Sequence, residues 1–167
     1  MTGLVPGMYI DTRTGVDVTD QYTQIKGNNE IGNSGGGGLY IQARNGQCVQ
    51  VPIPTNFCAY QIGETAQIMS GGLLQATPHA VFPPTTTAHN KTTDTKYISR
   101  ESFALFLEPE FDDVLRLPSS SGIQDCCCGN EDMTTRLGLR PISERYQIGQ
   151  TFGDFHLATV STNAAAT

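Results

Sequence analysis

The chain has 167 residues, 38% of them apolar and only 16% charged, and its sixteen acidic and ten basic side chains leave a net charge of −6. That length is room for one domain and not comfortably for two. The polarity comes largely from Thr, Ser, Asn, Gln and Gly, a mix that suits a β-rich protein and excludes a coiled coil or helical bundle. With no cluster of Lys and Arg to neutralise phosphates, nucleic acid is excluded as a partner. No apolar run approaches the roughly 20 residues that span a bilayer. The opening MTGLVPGMYI lacks the basic and apolar regions of a secretory signal. These features predict a soluble, cytoplasmic protein with no membrane partner.

In chain order, residues 4–10 read as a short strand kinked at Pro6-Gly7. Residues 11–38 turn polar and end in four glycines, a composition that buries too little apolar surface to order itself, so a mobile Gly-rich loop is expected. The densest β signal follows. Residues 39–43 and 48–51 flank Arg44-Asn45-Gly46-Gln47, and Asn-Gly is the preferred centre of a tight hairpin turn. Pro52 and Pro54 end the second strand or hold it at an edge. Short apolar runs at 57–62, 66–69 and 73–81 are separated by Gly-containing breaks, and a Thr- and Pro-rich insertion covers 82–99. Residues 102–107 form a nearly continuous apolar run, the pattern of a buried strand. Strands this short and regular predict a sandwich, barrel or jelly roll. Residues 118–144 are polar and irregular. Thr151-Phe152-Gly153-Asp154 has the spacing of a capping box, which predicts a short helix in the tail at 145–167.

Five cysteines occur: Cys48, Cys58 and the consecutive Cys126, Cys127 and Cys128. An odd number with three in a row makes a poor disulfide framework, and no second pair at metal-ligand spacing exists, so a reduced loop is expected there. Of the three histidines, His79 alone falls in the β-rich part, directly after Thr77-Pro78. A lone His at a strand end is commonly structural. Arg100 and Ser102 are spaced to share one face of a strand, where a guanidinium fork and a hydroxyl together grip a carboxylate.

The combination goes further than its parts. The run Gln61-Ile62-Gly63-Glu64, then Ser70-Gly71-Gly72, then Ala76-Thr77-Pro78-His79-Ala80-Val81, followed by Arg100-Glu101-Ser102 and Phe103-Ala104-Leu105-Phe106-Leu107-Glu108-Pro109, resembles the isopenicillin N synthase-like branch of the Fe(II)/2-oxoglutarate-dependent dioxygenases. The resemblance covers most of residues 1–117 and returns at 145–155. It implies an all-β-dominated fold, a partial double-stranded β-helix (jelly roll) over 1–117. It implies His79 as an iron ligand, and Arg100 and Ser102 as binders of the 2-oxoglutarate carboxylate. It also implies a small-molecule substrate. Family members complete the iron site with His-x-Asp, and no His-x-Asp or His-x-Glu occurs here: His89 leads into Asn90-Lys91 and His156 into Leu157-Ala158. The expectation is a truncated dioxygenase-like oxidoreductase that lacks part of its iron site and associates through exposed sheet edges. The alternative is a non-catalytic β-rich fragment or pseudoenzyme acting as a binding or structural module.

Overall fold

The computed structural model describes residues 1–22, 37–83, 95–122 and 140–164. Most of the Gly-rich stretch, the greater part of the 82–99 insertion with His89, and the Cys126–Cys128 triplet lie outside the described residues. Among the described residues nine short strands run β1 Thr2–Leu4, β2 Met8–Asp11, β3 Val16–Asp17, β4 Gly38–Gln42, β5 Cys48–Gln50, β6 Ala59–Gln61, β7 His79–Phe82, β8 Ile98–Glu101 and β9 Ala104–Phe106. The helices are α1 Thr19–Tyr22, α2 Glu64–Met69, α3 Ile142–Arg145 and α4 Phe152–Ala164. The strands form three small sheets of order β6-β1-β9, β3-β2-β8 and β5-β4-β7, so sheet dominates, as the composition predicts. The chain divides into two compact units. One comprises Met1–Thr2, Gln61–Pro78 and Phe106–Thr167, the other Gly3–Tyr60 and His79–Leu105.

In the second unit the Asn-Gly hairpin forms where the sequence places it. β4 and β5 pair antiparallel with Tyr40 opposite Gln50, Ile41 opposite Val49 and Gln42 opposite Cys48. Gly46 takes φ +83°, the left-handed conformation that such a turn needs and that glycine adopts without strain. β7 pairs with the other side of β4, His79 opposite Ile41. The kink at Pro6-Gly7 proves to be a switch of sheet: β1 and β2 belong to different sheets. β2 is the middle strand of its sheet, with Ile10 opposite Asp17 on β3 and Tyr9 opposite Arg100 on β8.

Residues 11–22 are not loop, as their polarity suggested, but the turn of the β2–β3 hairpin, β3 itself and α1. Polar side chains satisfy the backbone locally and replace the missing apolar burial. The Asp11 carboxylate accepts from the Arg13 backbone N–H at 2.9 Å and from Nε and Nη2 at 3.1 and 2.7 Å. Asp17 accepts from the Thr19 N–H at 2.8 Å. The Arg13 side-chain and backbone bonds hold the Asp11 carboxyl down at about 2, and Thr19 lowers Asp17 in the same way. An acid depressed below its unfolded value of about 3.9 stabilises the fold fully above that value, and the contribution is lost as pH falls towards 2. Urea midpoints should therefore drop for the native chain between about pH 5 and about pH 2, and drop less for Asp11→Asn, which starts lower at neutral pH. Parallel pH dependences for the two proteins would show that Asp11 contributes nothing.

The first unit holds the apolar core: Ile68, Leu115, Ile142, Tyr146, Phe152 and Phe155, with Leu117 packed on it. Residues 66–69, read as a strand-like run, belong instead to α2. Glu64 sits in the first turn of α2, where a carboxylate favours the helix N-terminus, and Ser70 closes it with its backbone N–H on Ala66. Ile68 is fully buried by α2's inner face. Thr151 caps α4 as the spacing predicts, with Asp154 bonded to its hydroxyl. The Asp154 N–H donates to Thr151 Oγ1 at 3.2 Å, and the Thr151 hydroxyl donates back to the Asp154 carboxylate at 2.9 Å. Arg145, buried on α3, donates from Nη1 and Nη2 to both Glu64 oxygens at 2.8 and 2.6 Å, from Nη1 to Thr159 Oγ1 at 2.8 Å, and from Nε to the Arg140 carbonyl at 2.8 Å.

One burial expectation fails. Residues 102–107 contain a strand, β9, but it is exposed on both faces, and Phe103 and Leu105 are 64% and 52% accessible. An apolar run reports what a strand prefers to contact; burial also needs a layer to cover it.

Candidate functional site

A cavity of about 410 Å³ opens in the second unit, bounded by the 6–9 segment, Thr19 with Asp17 and Asp20, Gly37–Leu39, Gln50 with residues 51–55, and Arg100. That volume falls within the range of small-molecule sites. Arg100 is half-buried on β8, and its Cα is paired with that of Tyr9 in the antiparallel ladder. Side chains directly opposite in such a ladder emerge on the same face, so the pairing register brings the guanidinium to the Tyr9 ring.

Gly7 precedes the start of β2 and also borders the cavity. The guanidinium packs directly over it: a methyl group added at Gly7 would stand 2.6 Å from Nη2 and 2.7 Å from Cζ and Nε of Arg100. Tyr9 is only 2% exposed. Burial pushes its phenol above the ordinary value, and the charge of Arg100 pulls against that without cancelling it. The tyrosine is itself fixed. Its N–H donates to Thr19 Oγ1 at 2.9 Å and its carbonyl accepts from the Val18 N–H at 2.8 Å. Gly38, at φ +135°, passes close to the hydroxyl, since an added Cβ there would lie 3.8 Å from it. Gln50 holds the neighbouring wall by donating from Nε2 to the Gly37 carbonyl at 3.1 Å.

The other site residues expected from the sequence stand elsewhere. His79 is exposed on β7, in the β5-β4-β7 sheet, while Arg100 belongs to β3-β2-β8. The strands carrying them are therefore not paired with each other. Ser102 is exposed and follows the end of β8 at Glu101. The alternation that would set it beside Arg100 stops one residue short, and it is not among the residues that bound the cavity. Among the described residues no three His, Cys, Asp or Glu side chains are grouped as a metal site.

Sequence reasoning missed Gly7 and Tyr9. Nothing in the 4–10 run says which distant strand it would face. Asp17 and Asp20, both exposed, also bound the cavity. The charged side chains on the cavity wall among the described residues are thus these two carboxylates and the Arg100 guanidinium. In the same unit Phe57, Tyr60, Val81, Phe103 and Leu105 are each more than half exposed, a large apolar surface for one small unit. Among the described residues no helix is long and apolar enough to cross a membrane. The chain matches no protein-family model, no curated protein and no solved structure.

Proposed function

We propose that this chain is a dioxygenase-like jelly-roll module that retains the carboxylate-binding side of a 2-oxoglutarate site and acts by binding, without oxidation. The observation that carries the reading is Arg100: a half-buried guanidinium on the wall of a small-molecule-sized cavity, laid flat over Gly7 and beside the Tyr9 phenol. A planar fork held in place is suited to a bidentate contact with a carboxylate, and 2-oxoglutarate is the dicarboxylate that the sequence resemblance implies.

Iron is the other group which that resemblance implies, and the described residues do not fit it. His79 offers one exposed imidazole, and no three potential ligands are grouped among the described residues. Affinity and geometry for Fe(II) both come from a complete ligand set, so these residues support no oxidative step.

Calorimetric titration of the metal-free chain with 2-oxoglutarate tests the reading. Saturable binding is expected, with a dissociation constant on the order of a millimolar. Adding Fe(II) without oxygen should leave the spectrum free of a metal-to-ligand charge-transfer band. Absence of saturable binding overturns the carboxylate site, and a band at stoichiometric iron overturns the non-oxidative role.

A further inference from the structure

We infer that Gly7 and Tyr9 are positioning residues, a seat that holds the Arg100 guanidinium in its binding orientation before any ligand arrives. The inference rests on the carboxylate-site reading but assigns roles to two residues that reading does not need. An arginine on an open surface samples many rotamers, and binding must then order it; a side chain already held avoids that cost. Here three restraints act together. The register sets Tyr9 opposite Arg100. The missing side chain at position 7 leaves the space that the guanidinium occupies, since any Cβ would stand 2.7 Å from Cζ. The buried Tyr9 phenol stands opposite Arg100, and the guanidinium's charge acts on it.

The seat is itself rigid. Tyr9 is anchored through its backbone to Thr19 and Val18, and Gly38 closes over its hydroxyl end. Asp17 and Asp20 also face this cavity.

The test uses the full chain and reads Arg100 directly. The Nε–Hε resonance of Arg100, assigned by its disappearance in Arg100→Lys, should be resolved and slow to exchange without ligand. It should broaden or shift to the solvent-exposed position in Tyr9→Phe, which removes only the hydroxyl, and in Gly7→Ala, whose methyl displaces the guanidinium. In parallel, Tyr9→Phe should raise the dissociation constant for 2-oxoglutarate about three- to tenfold. The same change made in an Arg100→Lys background should alter it less than about twofold, because a residue acting through Arg100 has nothing left to position. An unchanged Arg100 resonance in both single variants overturns the seat, whatever the binding result. A full Tyr9→Phe effect persisting in the Arg100→Lys background overturns it too, by showing that Tyr9 acts independently. If the resonance collapses in the variants while the native chain binds no 2-oxoglutarate, the seat stands and the dicarboxylate reading falls.

Discussion

Arg100→Lys should raise the dissociation constant for 2-oxoglutarate about ten- to a hundredfold. Lysine keeps the charge but replaces a planar five-donor fork with a point charge, so a bidentate contact becomes a single one. Hydrogen bonds to charged groups are worth roughly 1.5–3 kcal/mol, and each 1.4 kcal/mol is about a factor of ten in affinity. The seat sharpens the loss, because an ammonium does not fill the flat space over Gly7 that the guanidinium occupies. Two comparisons isolate the effect. Ser102→Ala should change binding less than about twofold, since an exposed hydroxyl beyond the end of β8 lies off the cavity wall. His79→Ala should change metal-free binding equally little, its strand belonging to another sheet. Calorimetry on the three variants decides. A Ser102 effect as large as that of Arg100 would mean that the strand end rearranges on binding, and an Arg100→Lys constant equal to the native one would make the arginine structural.

The largest stability effect should come from the first unit. Glu64→Ala should lower stability by about 2–3 kcal/mol, near the lower end of the range for breaking a buried pair. The carboxylate's own side chain is 27% accessible, but that of Arg145 is 5% accessible, and it is the arginine that is left buried with its two strongest acceptors gone. For a chain of this size that corresponds to roughly 4–12 °C in Tm. The neighbouring ion pair of Arg140 with Glu144 is the internal control. Its partners are 52% and 54% exposed, and an exposed pair of this kind contributes about 0–1 kcal/mol, so Arg140→Ala should shift Tm little. Replacing Glu64 and Arg145 together by leucine should recover much of the loss, because two apolar side chains leave no unpaired charge. Thermal unfolding followed by circular dichroism measures all three. Equal losses for the buried and the exposed pair would show that burial of Arg145 does not govern its worth.

Where the determining signal was local, the sequence alone settled the structure. Asn45-Gly46 specifies a hairpin because Gly46 takes without strain the positive φ that the turn requires there, and β4 and β5 pair across it. Thr151 and Asp154 specify where α4 begins, because the Thr151 hydroxyl reaches a free N–H of the first turn within three residues. The predominance of sheet followed from composition. Tertiary structure decided what depends on which distant segment arrives opposite. No property of residues 8–11 predicts that the distant β8 pairs with them, yet that register sets Tyr9 opposite Arg100, whose guanidinium then comes to lie over Gly7. The same cause lies behind the expectations that failed. Ser102 and Arg100 satisfy a spacing rule that holds only inside a strand, and β8 ends between them; the 102–107 run has the composition of a core strand without a covering layer. Glu64 and Arg145, 81 residues apart, form the buried pair of the first unit with nothing in their local sequence to mark it, because pairing depends on how α2 and α3 are brought together and not on either segment's own preferences.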